Sequence, residues 1–176
     1  MTASIETDRL LLRRPAASDV AAMFERYASD PDATRYLGWP RHRSLEDTRA
    51  FLAFSDAEWA RWPAGPYVIV DRGTSRLLGG TGLAFERADR AMTGYVLAKD
   101  AWGRGYATEA LRAMVGLARD LGVTRLYALC HTAHRPSWHV LEKCGFAREA
   151  ARPGAHEFPN LASGDPQDVF CYARAL

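Results

Sequence analysis

The stretch "AWGRGYATEALRAMVGLARDLG", Ala101–Gly122, decides how this chain folds. Ala107, Ala110, Leu111, Met114, Val115, Ala118 and Leu121 fall on one stripe of a helix, and Gly122 supplies a left-handed stop. Directly ahead of the stripe stand Gly103 and Gly105, with Arg104 between them. A chain that only turns can do so with one glycine, or with Asp, Asn or Pro. Two glycines point to something that comes close to the backbone. A glycine-bearing turn at a helix N-terminus presents unpaired N–H groups and the positive end of the helix dipole. An anion such as phosphate fits there, with the Arg104 charge and the Thr108 hydroxyl beside it. A plain strand-to-helix turn is the competing reading. "GRGYAT" is neither the G-x-x-x-x-G-K-[ST] loop nor G-x-G-x-x-G, and no acidic residue stands about 20 positions on for a ribose. Glu109 would repel a phosphate, so its side chain must point away.

Outward from this turn, the hydrophobic period alternates between 2 and 3.6. "RLLLRR" (9–14) reads as a strand, and "SDVAAMFERYAS" (18–29) as a helix capped by Ser18 or Asp19. A loop containing Pro31, Gly38 and Pro40 precedes a second helix, where Ser44 and Asp47 form a loose capping box. Three strands follow: "YVIVD" (67–71), "RLLGGTGLAFE" (76–86) and "TGYVLA" (93–98). The glycines Gly79, Gly80 and Gly82 mark a bulge or a close approach. After the helix at Tyr106 come a strand (125–130), a helix (135–145) and two closing strands in "FAREA" and "DVFCYARAL". The expectation is a mixed α/β single domain over residues 1–176: a mostly antiparallel sheet of about seven strands flanked by about four helices.

The 176 residues are 48% hydrophobic and 25% charged, with a formal net charge of +2, too small for a nucleic-acid-binding face. Arg13-Arg14 and Arg41-His42-Arg43 read as solvated surface. Three cysteines with no framework spacing predict reduced thiols in a cytoplasmic protein. The first ten residues carry no apolar run of the signal-peptide kind, and no stretch of about 18 apolar residues exists to cross a membrane.

"GYVLA", "WGRGYATEAL" and "LYALCHTAHRPSWHVLEKCGF" together resemble the GCN5-related N-acetyltransferase (GNAT) superfamily, in particular the RimJ/RimL-like ribosomal-protein N-terminal acetyltransferase group. "ETDRLLLRRPAASDVAAMF" and "RYLGWPRHRSLEDTRAFL" match that group more loosely. The resemblance implies the GNAT fold, acetyl-CoA as acetyl-donor cosubstrate and no metal. It implies that the backbone from Gly103 and Arg104 through Gly105, Tyr106, Ala107 and Thr108 wraps the pyrophosphate, and that the strand at Val96, Leu97 and Ala98 runs beside the pantetheine arm. Trp102 stands where the family has Gln or Arg. His134 replaces the Asn of the family's N-x-x-S, and Ser137 matches its Ser, a candidate to protonate the leaving thiolate; a helix-start role is the alternative for Ser137.

Many relatives carry Glu on the fourth strand where this chain has Met92. Glu86 and Asp89 are the nearest carboxylates and the candidates for a base acting through water; a solvated turn residue is the alternative reading of each. Neutralising a lysine amine of pKa ~10.4 at pH 7 costs ~4.6 kcal/mol, against ~1.1 kcal/mol for an α-amine of pKa ~7.8. A site without a strong base therefore favours a protein or peptide N-terminal α-amine. Tyr36 and Trp39 are expected to line the acceptor pocket. Small-molecule amines, a coenzyme A sensor without turnover and an unrelated phosphate binder are the alternatives. The spacing of Cys130, His131, His134, His139 and Cys144 matches no zinc pattern. The expected partner is the amine alone, without nucleic acid or membrane, with the protein a monomer or homodimer.

Overall fold

The computed structural model describes residues 4–161 and 165–176; of the N-terminal ten residues read above, 1–3 lie outside it. Eight strands form one sheet: β1 (Ser4–Glu6), β2 (Leu10–Arg13), β3 (Pro66–Asp71), β4 (Leu77–Arg87), β5 (Arg90–Leu97), β6 (Arg125–His131), β7 (Ala147–His156) and β8 (Gln167–Ala175). Their spatial order is β1-β2-β3-β4-β5-β6-β8-β7. All neighbours are antiparallel except β5 and β6, which run parallel. A parallel pair needs a crossover, and α3 (Tyr106–Asp120) supplies it. The other helices are α1 (Val20–Met23), α2 (Leu45–Arg61) and α4 (Arg135–Lys143). No helix among the described residues is long and apolar enough to cross a membrane.

Period-2 alternation sends β2 and β3 side chains to two layers. Leu10, Leu12 and Ile69 join Leu111 and Met114 of α3. Leu11, Val68 and Val70 join Met23 and Tyr27. The register Leu12↔Ile69 and Leu11↔Val70 keeps each set on its own face. The three glycines of β4 mark close approach. A Cβ on Gly79 would lie 2.0 Å from the Val96 carbonyl oxygen, and one on Gly82 would lie 2.8 Å from that of Gly65. A register shift also occurs between Ile69 and Val70, opposite this stretch.

Several expectations change in detail. β1 is an additional strand, too short for a period to show, whose partner is β2 (Ser4↔Arg13). The first helix is only four residues long and passes into a wider turn, Phe24–Ala28, which the Ser29 N–H closes on the Phe24 carbonyl at 3.1 Å. Asp19 holds the N-cap position, as expected, but its side chain makes no capping bond to the helix. Asp19, 6% exposed, reaches back to the Ala16 N–H at 2.8 Å and takes both guanidinium nitrogens of Arg13 at 2.7 Å. Arg13 is therefore an internal fastener and not solvated surface. Burial alone would raise the Asp19 carboxyl, but Arg13 and the Ala16 N–H outweigh it and hold it below the usual range. The Ser44–Asp47 capping box forms as expected. "FAREA" extends into a longer strand, β7, because β8 pairs with it as far as His156↔Gln167.

The glycine contacts separate two kinds of substitution. Gly79→Ala should lower the unfolding free energy in urea by about 1–3 kcal/mol, because backbone must move to admit the methyl group. Gly116→Ala, inside α3 where a Cβ meets nothing within 4 Å, should instead raise it by about 0.5–1 kcal/mol.

Candidate active site

The site begins where two strands part. β5 pairs with β6 only at Arg90↔Arg125, Ala91↔Leu126 and Met92↔Tyr127. Beyond Met92 the strands separate, and Thr93–Leu97 has no β6 partner. A cleft of about 400 Å³ opens into this gap, bounded by β3, β4 and β5, the end of β6, the start of α4 and the loop before α2.

At one end of β5 lies the glycine turn. Gly103 and Gly105 have φ of 71° and 79°, the left-handed region where a Cβ is strained. The N–H groups of Gly103 through Thr108 find no acceptor among the described residues; Glu109 is the first to donate, to the Gly105 carbonyl at 3.1 Å. That row of open donors stands at the head of a 15-residue helix, where the sequence reading expects an anion. Arg104 is exposed, while the Tyr106 ring is buried and its hydroxyl donates to Asp71 at 3.2 Å. Only the backbone of Tyr106 belongs to the turn.

Glu109 does point away. Its carboxylate accepts from the Thr7 hydroxyl at 2.6 Å, the Arg9 N–H at 2.9 Å and the Arg9 Nε at 2.7 Å. Arg9 in turn donates to the Arg104 carbonyl at 2.9 Å and lies over the Tyr106 ring. The turn is thus held from behind by a residue a hundred positions away, which no local pattern could reveal. Burial pushes the Glu109 carboxyl up, but the bonds from Thr7 and Arg9 prevail and hold it below its ordinary 4.5.

Val96 lines the cleft. The Leu97 carbonyl accepts from the Trp102 indole at 2.9 Å, and the Ala98 N–H donates to Leu78 at 2.8 Å. Leu97 and Ala98 are therefore engaged within the chain, and Thr93–Val96 is the open stretch of β5. Trp102, which departs from the family pattern, ties the turn to the strand.

Ser137 is the third residue of α4 and makes no helix cap. Its hydroxyl lies 3.0 Å from the Tyr95 hydroxyl, which also donates to the Ser137 carbonyl at 2.7 Å. Both residues line the cleft, as does Cys130. Burial pushes the Tyr95 phenol well above its ordinary 10, so it stays protonated, and pushes the Cys130 thiol to about 11. Tyr95 is a site residue the sequence reading missed, since "GYVLA" looks like core strand.

His134 heads α4, and its ring stacks on Tyr36, with centroids 4.7 Å apart. His131 packs on the same Tyr36 and on Phe158, each at 4.9 Å. Burial first, then neighbouring His131, lowers His134 to about 4, so it is neutral at pH 7. Trp39 also lines the cleft and packs against His42 at 5.2 Å. His42 is therefore part of the cleft wall rather than solvated surface, its Nδ1 2.9 Å from the Thr48 hydroxyl. Asn160 fixes this loop: its amide donates to the Thr34 and Trp39 carbonyls at 2.8 and 2.9 Å, and its oxygen accepts from the Arg41 N–H at 2.7 Å.

The structure does not bring Glu86 to this site. Its carboxylate is tied to the Tyr127 hydroxyl and, at 2.8 Å, to Arg90, outside the cleft lining. Asp89 pairs with Arg87 at 2.7 Å. Met92 does line the cleft. Among the described residues no three His, Cys, Asp or Glu side chains come together in a way that would hold a metal ion.

A family model described as an acetyltransferase (GNAT) domain matches residues 9–147. An uncharacterized N-acetyltransferase, YoaA of Bacillus subtilis (strain 168), is 30% identical over 172 residues, covering 96% of this chain and 94% of its own length. RimL, a ribosomal L7/L12 alpha-N-protein acetyltransferase in complex with coenzyme A, superposes with a TM-score of 0.87 at 24% identity, over 98% of each chain. The microcin C7 self-immunity acetyltransferase MccE, in complex with acetyl-CoA and AMP, gives 0.88 at 19% identity, covering all of this chain and 98% of its own. The likeness to these two structures is one of fold.

The Arg9–Glu109 fastening has a pH signature. A carboxyl lowered in the folded state contributes stability that is complete above its unfolded value and is lost as pH falls through the folded one. Wild type should therefore be more stable than Glu109→Gln at pH 7, and the difference should close on acidification below about pH 4. Denaturant midpoints against pH check this. Asn160→Ala should raise KM for the amine several-fold and leave acetyl-CoA affinity unchanged, since it frees only the Tyr36–Trp39 loop; steady-state kinetics and calorimetry separate the two.

Proposed function

The chain belongs to the GNAT acetyltransferase family, and from that premise we propose that its acceptor is the α-amine of a protein or peptide N-terminus. The protein is an acyltransferase, an N-acetyltransferase whose acetyl donor is acetyl-CoA. Acetyl-CoA supplies an electrophilic thioester carbonyl and a thiolate leaving group. The open N–H groups from Gly103 to Thr108 hold the diphosphate, and the unpaired edge of β5 holds the pantetheine arm as a neighbouring strand would. The amine nitrogen attacks the acetyl carbon directly in a ternary complex and gives its proton to water. Ser137, hydrogen-bonded to Tyr95, delivers a proton to the departing sulfur and is reprotonated from solvent.

One observation carries the choice of acceptor: among the described residues the cleft is lined by no carboxylate, Met92 stands at its wall, and Glu86 is tied up outside it. Without a strong base, the amine that is easiest to neutralise is favoured. A small-molecule amine is the second reading, supported by a cleft volume of about 400 Å³. Three buried, unpaired cysteines fit a reducing cytoplasm.

The test is thiol release from acetyl-CoA with N-terminal peptides, N-blocked lysine peptides, aminoglycosides and polyamines. With an α-amine acceptor, kcat/KM should rise with pH and level near about 8. A limb near pH 6 that disappears in Glu86→Gln would overturn the reading, and turnover on any amine removes the sensor alternative. Ser137→Ala and Tyr95→Phe should each lower kcat about tenfold or more with acetyl-CoA affinity nearly intact. Gly105→Val should weaken coenzyme A binding at least tenfold, about 1.4 kcal/mol. Arg104→Ala should weaken it less, and less still at high salt.

A further inference from the structure

The walls of the acceptor end say what kind of body the amine is carried on. Tyr36, Trp39, Phe51 and Phe158 line one continuous cleft with His42 and His131. The rings touch in series: Tyr36 meets His131, His131 meets Phe158, Trp39 meets His42, and His42 meets Phe51 at 6.4 Å. No Asp, Glu, Lys or Arg belongs to the lining among the described residues. The imidazoles do not substitute for missing charge: burial lowers His42 and His131 despite Asp47 and Asp168, which favours their neutral form. Charges near the mouth are of the wrong sign or already used. Arg35 lies over the Tyr36 ring, Asp32 is paired with Lys99, and the Asp30 carboxylate accepts from the N–H groups of Asp32 and Ala33. Two carboxylates act on the imidazoles from outside the lining: Asp47, near His42, accepts from the Arg43 and Ser44 N–H groups, and Asp168, near His131, accepts from the Gly154 N–H at 3.0 Å. Glu157, between His156 and Phe158, is exposed and outside the lining.

We propose that the acceptor presents its amine on an apolar or aromatic body, such as an N-terminal residue with a large uncharged side chain, and that acceptors carrying a second ammonium group are rejected. The inference rests on the acetyl-transfer reading above and narrows its substrate. An ammonium group moved from water into a ring-lined cleft loses hydration and meets no counterion. An apolar side chain of the same length gains contact with the rings and releases water.

Two peptides that differ only in their first residue, norleucine or ornithine, test this, because those side chains are isosteric and one ends in methyl, the other in ammonium. At pH 9 both α-amines are neutral and the ornithine side chain stays charged. The norleucine peptide, and a phenylalanine counterpart, should exceed the ornithine peptide in kcat/KM by about a hundredfold. Leu37→Asp, which places a carboxylate on the cleft wall, should narrow that ratio about tenfold, and Glu157→Gln should leave it unchanged. Equal rates on norleucine and ornithine, or faster turnover of spermidine than of phenethylamine, would overturn the inference while acetyl transfer stands. Thiol release with none of these amines would overturn both readings.

Discussion

The separation of β5 from β6 is the constraint on which everything else depends. Two parallel strands that pair for three residues and then diverge leave backbone donors and acceptors without partners in the middle of a sheet. Buried backbone polar groups are rarely left so. Here the gap is kept open by packing on both sides. α3 fills one side through Leu111 and Met114, while Tyr27 and the Tyr36–Trp39 loop stand on the other. The sheet is in effect built one strand short along this edge, and in the proposed function the pantetheine arm would complete it. The same divergence turns β5 toward the head of α4, which is why Tyr95 and Ser137 meet although 42 positions apart.

The glycine turn lies at the end of that gap, and its shape depends on contacts behind it. Left-handed φ at Gly103 and Gly105 aims a row of N–H groups outward. Arg9 holds the Arg104 carbonyl, Trp102 holds the Leu97 carbonyl, and Glu109 holds Arg9. Donors preorganised in this way would bind the proposed diphosphate without rearrangement, so their hydrogen bonds would not be offset by ordering of the loop.

What the sequence made legible was local. Two glycines before an amphipathic helix, a strand before them and Ser137 two residues into a helix after Pro136 are short-range patterns, and each lies where its pattern required. Glu86 was misplaced because proximity along a strand says nothing about direction: the β4–β5 hairpin carries it beyond the cleft to Tyr127 and Arg90. Arg9, Tyr95 and Asn160 were invisible for a related reason. Arg9 acts across the sheet, Tyr95 hides in an apolar strand, and Asn160 sits in an aperiodic loop whose hydrogen bonds all reach back more than a hundred positions. The additional strand, β1 at Ser4–Glu6, has too few residues to show a period.

Asn160 belongs to a part of the chain beyond residue 147, where the family match ends. His156 and Phe158, from the same segment, reach over to line the cleft, and His156 lies where a Cβ on Gly38 would be only 2.5 Å from its ring. Part of the cleft wall is therefore contributed by chain outside the matched domain, while the glycine turn lies wholly inside it. Under the proposed function, exchanging the segment between β7 and β8 would change the cleft wall at Phe158 and the Asn160 bonds that hold the Tyr36–Trp39 loop, while the sheet strands and the glycine turn stayed in place.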